Sequence, residues 1–355
     1  MIIDIRKCIS EQHINIVKKN RMMRGYEEWS RKIKKLVGIP YKQIPFVPLA
    51  PINGAYGDEE LLRRYADIQQ DLYAIIEHGV FFGNNTDRVG DTGEWELGCI
   101  LTNGEYRKKL ISRVFPDYYC EMIGPMIHYA KRDQDFFQEI RSRQKAGEKT
   151  LTFFPAHGLK DIKLVYDIQS TINNIIRMAD NYECENILLC AFPHDITEFE
   201  KIIKEMNLDN RIIVVTSAGK EGKDFLPRQR AIIELSDFTI SNKLGTHLGY
   251  CVYLNKPHIL LSENYLIEGD PKKIKAEYGK RNKDWKIQYA KEVDMFQEAF
   301  SINSQLSDDE KWNLCDYYWG FSKVKTPEEI KGIYQACKTH SISFMKNKLY
   351  KKYAN

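Results

Sequence analysis

The sequence predicts an α/β protein in which helices cover both faces of parallel sheets. Short apolar runs, such as TLTFF at 150–154 and ENILLC at 185–190, alternate along the chain with segments of helical periodicity. Taken together, these runs are continuous rather than alternating between apolar and polar residues, which is typical of strands buried on both faces. The chain has 355 residues, about the length of two domains. We therefore expect two Rossmann-like units.

The first predicted unit spans residues 1–130. Basic and isoleucine-rich residues at 1–35 are typical of one or two amphipathic helices. A helical segment at 58–72 opens with an acidic residue suited to capping, and the strand YAIIEHGVFF follows at 73–82. A loop rich in Gly, Asp and Asn at 84–98 then leads into further strand and helix segments.

The second predicted unit spans residues 131–335, and a basic helix at 336–355 follows it. From residue 150 onward strands and helices alternate regularly, and the apolar run KPHILLS at 256–262 closes the series. The stretch 264–292 is charged and rich in turn residues, and its lack of a clear period predicts a mobile excursion. Helical segments resume from about residue 293.

Charge and composition exclude several classes of protein. The formal net charge is +4, but residues 1–35 carry +6 and residues 341–355 carry +4, so the segment between them is acidic. This balance does not indicate nucleic-acid binding. No apolar run reaches the roughly 18 residues of a membrane span, and no secretory signal opens the chain, so we expect a cytoplasmic protein. The basic ends either pack on the body or anchor it to an anionic inner membrane face.

Cysteine usage is consistent with a cytoplasmic location. The eight cysteines are scattered, without C-x-x-C pairs or histidines at metal-ligand spacing, and several lie within apolar runs. We therefore expect buried, reduced thiols and no metal site.

Polar residues follow three predicted strands of the second unit, at the edge where open α/β sheets bind ligands. These candidates are His157, Ser217, Gly219, Lys220, Ser241, Asn242, Gly245, Thr246 and His247. Glycines let the backbone approach a ligand, and helix N-termini offer unpaired N–H groups to anions. Ser241 and Asn242 also suit a plain helix cap, and His157 and Lys220 suit ordinary loop roles. Their convergence nonetheless favours an anionic, phosphate-bearing ligand.

The motifs of two common nucleotide-binding chemistries are missing from the sequence. No G-x-G-x-x-G follows a predicted strand, and no G-x-x-x-x-G-K-[ST] occurs, which disfavours dinucleotide redox and P-loop chemistry. Arg228, in FLPRQR, either supports the phosphate site or is a surface arginine.

A candidate acid–base pair interrupts an apolar strand of the first unit. Glu77 and His78 lie in YAIIEHGVFF, where an ionisable group is costly to bury unless it reaches a cleft. Such a group is suited to general base catalysis, and the alternative is a hydrogen-bonded structural pair. Glu94 and Glu96, in GEWELG, are a second choice of carboxylate.

Several segments together resemble a GT-B glycosyltransferase, of the bacterial capsule, lipopolysaccharide and sialyltransferase-like group. The resemblance rests on the EHG element at 77–79, IGPMIHYA at 123–130, FFPAHG at 153–158, VVTSAG at 214–219 and SNKLGTHLGYCVYLNKPHIL at 241–260. It implies two Rossmann-like domains facing a central cleft, with the activated sugar in the C-terminal half and the acceptor in the N-terminal half. The nucleotide-sugar is then a substrate, and no cofactor is needed.

The resemblance also implies roles for individual residues. The donor-binding positions it matches are His157, Ser241, Asn242, Gly245, Thr246 and His247. His78, or Glu77 beside it, would take the proton from the acceptor hydroxyl in an inverting, metal-independent transfer. The donor is a CMP-, UDP- or GDP-linked sugar, and the acceptor is a saccharide, free or lipid-linked.

Three alternatives to sugar transfer stay open at the level of sequence. A nucleotide-sugar 2-epimerase shares this fold, and a polyol-phosphate transferase of the teichoic-acid type also carries a His-Gly element after a first-half strand. A non-catalytic nucleotide- or glycan-binding protein is the third alternative, because a fold does not by itself determine an activity.

Overall fold

The computed structural model describes residues 51–54, 56–84, 86, 97–158, 162–208, 210–217, 224–278 and 283–353. The predicted basic helices at 1–35 lie outside these residues, as do Glu94, Glu96, Gly219 and Lys220. In the described part, helices pack against two parallel sheets, and a cavity lies between the two sheets. This topology confirms the predicted α/β class with two parallel-sheet units facing a central cleft.

The smaller sheet belongs to the first unit and has three parallel strands in the order β1-β2-β3. Its elements are α1 (Asp58–Ala66), β1 (Ile75–Ile76), β2 (Cys99–Thr102), α2 (Glu105–Val114) and β3 (Tyr119–Met122). Every residue of β2 is buried, as expected of a central parallel strand. The strand predicted over 73–82 ends after Ile76, because the backbone turns into a left-handed conformation at Gly79.

The larger sheet has five parallel strands in the order β7-β6-β4-β8-β9. Its strands are β4 (Lys149–Phe154), β6 (Cys184–Cys190), β7 (Ile212–Val215), β8 (Phe238–Ser241) and β9 (His258–Leu260). Its helices are α3 (Gln134–Arg143), α4 (Ile168–Asn181), α5 (Ile196–Glu205), α6 (Phe225–Leu235) and α7 (Thr246–Tyr253). The strand order reverses at β4, so the carboxyl ends of β4 and its neighbours border a crevice.

The segment at 264–292 is more regular than its composition predicts. It contains β10 (Leu266–Gly269), α8 (Pro271–Tyr278) and the first half of α9 (Lys283–Ala299). Strand β10 pairs antiparallel with β5 (Ile162–Val165), a partner about a hundred residues earlier that local periodicity does not reveal. Helix α9 also packs on the first unit, where the Trp285 Nε1–H donates to the Phe82 carbonyl at 3.2 Å.

Two C-terminal helices join the units. Helix α10 (Asp308–Trp319) ends in Trp319, which lies in one buried cluster with Phe82 of the first unit and Phe296 of α9. Helix α11 (Pro327–Tyr353) crosses the predicted boundary at residue 335 and packs against α1, β2 and β3. One hydrophobic core therefore extends across both units.

The described cysteines are free and largely buried, in agreement with the burial that the sequence predicts. Six of the seven described thiols are buried and the seventh is half-buried, and none forms a disulfide; Cys8 lies outside the described residues. None of the helices in the described part of the chain is both long and apolar enough to traverse a bilayer.

Candidate functional site

A cavity of about 430 Å³ lies between the two units. The first unit contributes α1 and the loop after β1, and the second unit contributes the segments that follow β4, β6, β7 and β8. The sequence-predicted residues that line it are His78, His157, Ser217, Gly245, Thr246 and His247. Candidate residues from both halves of the chain therefore line one cavity.

The two units touch at Gly79 and Thr246. The Val80 N–H donates to Thr246 Oγ1 at 3.0 Å, and the Asn103 side chain donates to the Gly79 carbonyl at 2.8 Å. Gly79 has φ of +80°, and a Cβ there would lie 2.6 Å from Thr246 Oγ1. Only glycine accommodates both the left-handed backbone and this close approach. The loop that carries His78 is therefore fixed against the start of α7.

His78 and Glu77 have different environments although they are adjacent. His78 is half-buried at the cavity, with its ring 5.4 Å from that of Tyr56. The Glu77 carboxylate instead forms a buried ion pair with Arg107 and accepts a hydrogen bond from the Thr102 hydroxyl at 2.6 Å. The side chains of Glu77 and Arg107 are only 4% and 1% exposed. Glu77 therefore anchors β1 to α2 and does not line the cavity.

The start of α7 is held by α10. The Trp319 Nε1–H donates to the Thr246 carbonyl at 3.0 Å, and a Cβ at Gly249 would lie 2.2 Å from the Trp319 ring. Gly249 thus allows the indole to pack directly on the helix. This contact keeps the N-terminus of α7, with its unpaired backbone N–H groups, at the cavity.

His247 is a neutral imidazole at this helix terminus. Its ring stacks on Phe154 with 5.1 Å between centroids, and its Nε2 is buried without a hydrogen-bond partner among the described residues. Burial, reinforced by the charges of His157 and Lys243, lowers the pKa of His247 to about 3. The ring is therefore uncharged at neutral pH and retains one ring nitrogen for a ligand.

His157 lies on the neighbouring loop after β4. Its ring stacks on Phe192 with 4.6 Å between centroids, and its Nδ1–H donates to the Gly158 carbonyl at 2.9 Å. A Cβ at Gly158 would lie 1.8 Å from the Ile162 carbonyl oxygen, so only glycine fits at this close approach. The hydrogen bond to Gly158 and the stacked ring together fix the orientation of His157.

Ser241 and Asn242 lie behind the cavity wall. The Ser241 hydroxyl is 3.0 Å from His258 Nε2. Asn242 accepts a hydrogen bond from the Ala156 N–H at 2.6 Å and donates to Glu263 at 2.8 Å. Neither lines the cavity: Ser241 links β8 to β9, and Asn242 links the loop after β4 to the segment after β9.

Arg228 is also directed away from the cavity. It pairs with Asp133 at 3.4 Å, and its guanidinium lies 5.2 Å from the centre of the Phe136 ring. These contacts hold α6 against α3.

Lys243 is a cavity residue that the sequence analysis missed. It follows β8 in the segment SNKLGTH, is half-buried, and interacts electrostatically with His157 and His247. Its position directly after a strand is the same signal that predicts Ser241, Asn242 and Gly245 as site residues. It provides the cavity with a cationic group in the described part of the chain.

Asp58 is the second missed residue. The acid at the start of this helix is predicted to cap it, but the N-cap is Gly57, and Asp58 lines the cavity. It is 2% exposed, and its Oδ2 has no hydrogen-bond partner among the described residues. Burial raises the pKa of Asp58 to about 7. Tyr56, Gln229 and Tyr250 also line the cavity.

No grouping of three or more metal-ligating side chains occurs within the described residues. The polar groups at the cavity are three histidines, a lysine, a carboxyl group, a carboxamide, phenols, hydroxyls and the backbone amides of α7. This set can bind an anion at one wall and exchange a proton at another.

Comparison with known proteins yields structural likeness only. No protein-family model and no curated protein matches the chain. The wall teichoic acid polymerase TagF shares 13% identity at a TM-score of 0.44, covering 78% of this chain and 70% of that one. The pneumococcal O-GlcNAc transferase GtfA, solved with UDP and GlcNAc, shares 10% at a TM-score of 0.36, covering 75% of this chain and 52% of its own.

A third similar structure is the UDP-GlcNAc 2-epimerase from Neisseria meningitidis bound to UDP-GlcNAc. It shares 11% identity at a TM-score of 0.35, covering 90% of this chain and 89% of that one. All three TM-scores lie below 0.5, so these similarities do not indicate a function for this chain.

Proposed function

We propose that this protein is an inverting, metal-independent glycosyltransferase that moves a sugar from a nucleotide-activated donor to a saccharide hydroxyl. One observation carries the proposal. One wall of the cavity combines Lys243, the N-terminus of α7 and the neutral His247 with its unpaired Nε2. The first unit contributes His78 to the same cavity. Such a combination suits the phosphates of a nucleotide-sugar.

The phosphate-binding wall is built from groups that favour negative charge. The backbone N–H groups at the start of α7 have no partners within the helix, and the helix dipole favours an anion there. Lys243 adds a positive charge, and His247 donates a hydrogen bond from Nε2 when that nitrogen carries the proton. These groups also stabilise the charge that develops on the departing nucleotide.

The nucleoside part of the donor would occupy the crevice beside the phosphate wall. Thr216 and Ser217 after β7 and Phe192 after β6 border the cavity there. Phe192 and the stacked His157 ring offer apolar area, and the two hydroxyls offer hydrogen bonds.

His78 is the proposed general base. It takes the proton from the acceptor hydroxyl, whose oxygen forms a bond to the anomeric carbon as the bond from that carbon to the phosphate oxygen breaks. Attack opposite to the leaving group inverts the anomeric configuration. The electron pair of the broken bond stays on the nucleotide phosphate, beside Lys243 and α7.

The biological setting is part of the same proposal. We place the enzyme in bacterial surface glycan synthesis, such as that of a capsule or lipopolysaccharide, in the cytoplasm at the inner membrane face. The basic segments at 1–35 and 341–355 favour contact with an anionic membrane. A liposome sedimentation assay tests this: the bound fraction is expected to fall with salt and with removal of residues 341–355.

The transferase is tested with CMP-, UDP-, GDP- and CDP-linked donors, by calorimetric binding and by nucleotide release with and without saccharide acceptors. Lys243→Ala and His247→Ala are expected to weaken donor binding about tenfold or more, and His78→Ala to lower turnover at unchanged donor affinity. Lys201→Ala, on the exposed face of α5, is the matched control. Binding of no donor would refute the proposal, and donor conversion without acceptor would indicate an epimerase.

A further inference from the structure

Asp58 stands out among the cavity residues because nothing in the fold accounts for it. Its carboxyl group is 2% exposed, yet its Oδ2 lacks a hydrogen-bond partner among the described residues. It does not cap α1, since Gly57 occupies the N-cap position. A buried polar oxygen left without a partner costs about 1–3 kcal/mol. Such a group in a native structure needs an explanation, and at a cavity a bound ligand that donates a hydrogen bond supplies one.

The groups around Asp58 are polar but uncharged. Burial raises the pKa of the Tyr250 phenol of α7, and the proximity of Asp58 and Tyr56 raises it further. Gln229 of α6 is 4% exposed at the same cavity, and Tyr56 brings His78 into the neighbourhood through its 5.4 Å ring contact. Asp58, Tyr56 and Tyr250 therefore lie close together, and Gln229 lines the same cavity.

We propose that Asp58, Tyr56, Gln229 and Tyr250 form the acceptor subsite, and that the portion of the acceptor bound there is uncharged and carries hydroxyl groups. The proposal rests on the glycosyltransferase function above and specifies its acceptor. Asp58 acts in it by accepting a hydrogen bond from an acceptor hydroxyl, while His78 takes the transferred proton.

The chemistry of the subsite discriminates between acceptor classes. A hydroxyl donates to the free Asp58 oxygen and accepts from a phenol or carboxamide, so it satisfies several groups at once. A phosphate or carboxylate would instead meet the Asp58 carboxyl with no cation among its neighbours Tyr56, Gln229 and Tyr250, and like charges repel strongly in a buried site. An uncharged sugar unit is therefore preferred to a polyol phosphate or a uronic acid.

The experiment measures acceptor KM and donor Kd separately. The donor that binds best in the panel above is held at saturation, and nucleotide release is followed with the methyl glycosides of glucose, galactose and N-acetylglucosamine. Methyl glucuronide and glycerol 3-phosphate are the anionic counterparts. The variants are Asp58→Asn and Tyr250→Phe, which preserve shape, and Glu60→Gln on the exposed side of α1 is the control.

We expect at least one uncharged glycoside to accelerate nucleotide release and the anionic compounds to do so less. Asp58→Asn and Tyr250→Phe are expected to raise the acceptor KM about tenfold or more, with kcat changed less and donor Kd unchanged. The dependence of acceptor KM on pH near neutrality should disappear in Asp58→Asn.

Three results would overturn the subsite while leaving the transferase intact. These are preference for the anionic acceptors, no acceleration by any uncharged glycoside, or an unchanged acceptor KM in both variants, each with donor binding preserved. Failure of every donor to bind would instead refute the transferase, and the subsite with it.

Discussion

The buried carboxyl group of Asp58 makes the stability of the protein depend on pH in a direction that can be measured. Its pKa rises from 3.8 to about 7 because folding removes the ionised form from water. The folded state therefore holds a proton that the unfolded state releases between these two values. Stability linked to Asp58 is fully present below pH 3.8 and is lost as the pH rises through 7.

The size of the pKa rise determines how much the free energy of unfolding changes with pH. At 1.36 kcal/mol per pKa unit, a rise from 3.8 to about 7 corresponds to about 4 kcal/mol of lost stability once the pH exceeds the folded-state pKa. Asp58→Asn replaces the acid by a neutral group of nearly the same shape. The variant should therefore gain about 3 to 4 kcal/mol relative to the natural protein between pH 4 and pH 8.

Urea denaturation followed by circular dichroism at intervals from pH 4 to pH 8.5 measures this difference. Other titrating groups affect both proteins equally and cancel in the comparison. Glu60→Gln, whose side chain is 49% exposed on the same helix, should show no pH-dependent difference from the natural protein. A constant difference between Asp58→Asn and the natural protein over the whole range would refute the reasoning.

Three further predictions concern the surroundings of the cavity. Arg107→Met leaves the Glu77 carboxylate buried without its cation, so urea denaturation should show a loss of about 3–5 kcal/mol. Gly79→Ala strains a φ of +80° and drives a methyl group against Thr246, so the same assay should show a loss of at least about 1 kcal/mol, together with reduced turnover. The lowered pKa of His247 keeps its ring neutral, so its NMR resonances should not shift between pH 5 and pH 8; a titration in that range would contradict the burial argument.

The sheets were predictable because their signals are local. Continuous apolar runs at 150–154 and 185–190 became the central strands β4 and β6, and the isoleucines of α4 formed its buried face. His157, Gly245 and His247 were found for a similar reason. In a parallel sheet, a polar residue directly after a buried strand is placed at the ligand-binding edge by topology alone.

The remaining features depend on contacts between distant parts of the chain. Glu77 and Arg107 are 30 residues apart, so their pairing, which removes Glu77 from the cavity, has no local signature. Asp58 has the sequence signature of a helix cap, because an acidic residue at the start of a helix is usually a cap. Only its burial next to Tyr250 of α7 distinguishes it from a capping residue. The antiparallel pairing of β10 with β5 is equally non-local.

The identity of the cavity as a nucleotide-sugar site is tested most directly by a crystal structure with a bound nucleoside diphosphate. The phosphate oxygens are predicted to lie within hydrogen-bonding distance of the Lys243 ammonium group and the backbone N–H groups at the start of α7, with His247 Nε2 directed at the same phosphates. A nucleotide bound outside this cavity, or bound here with its phosphates away from Lys243 and α7, would contradict the assignment.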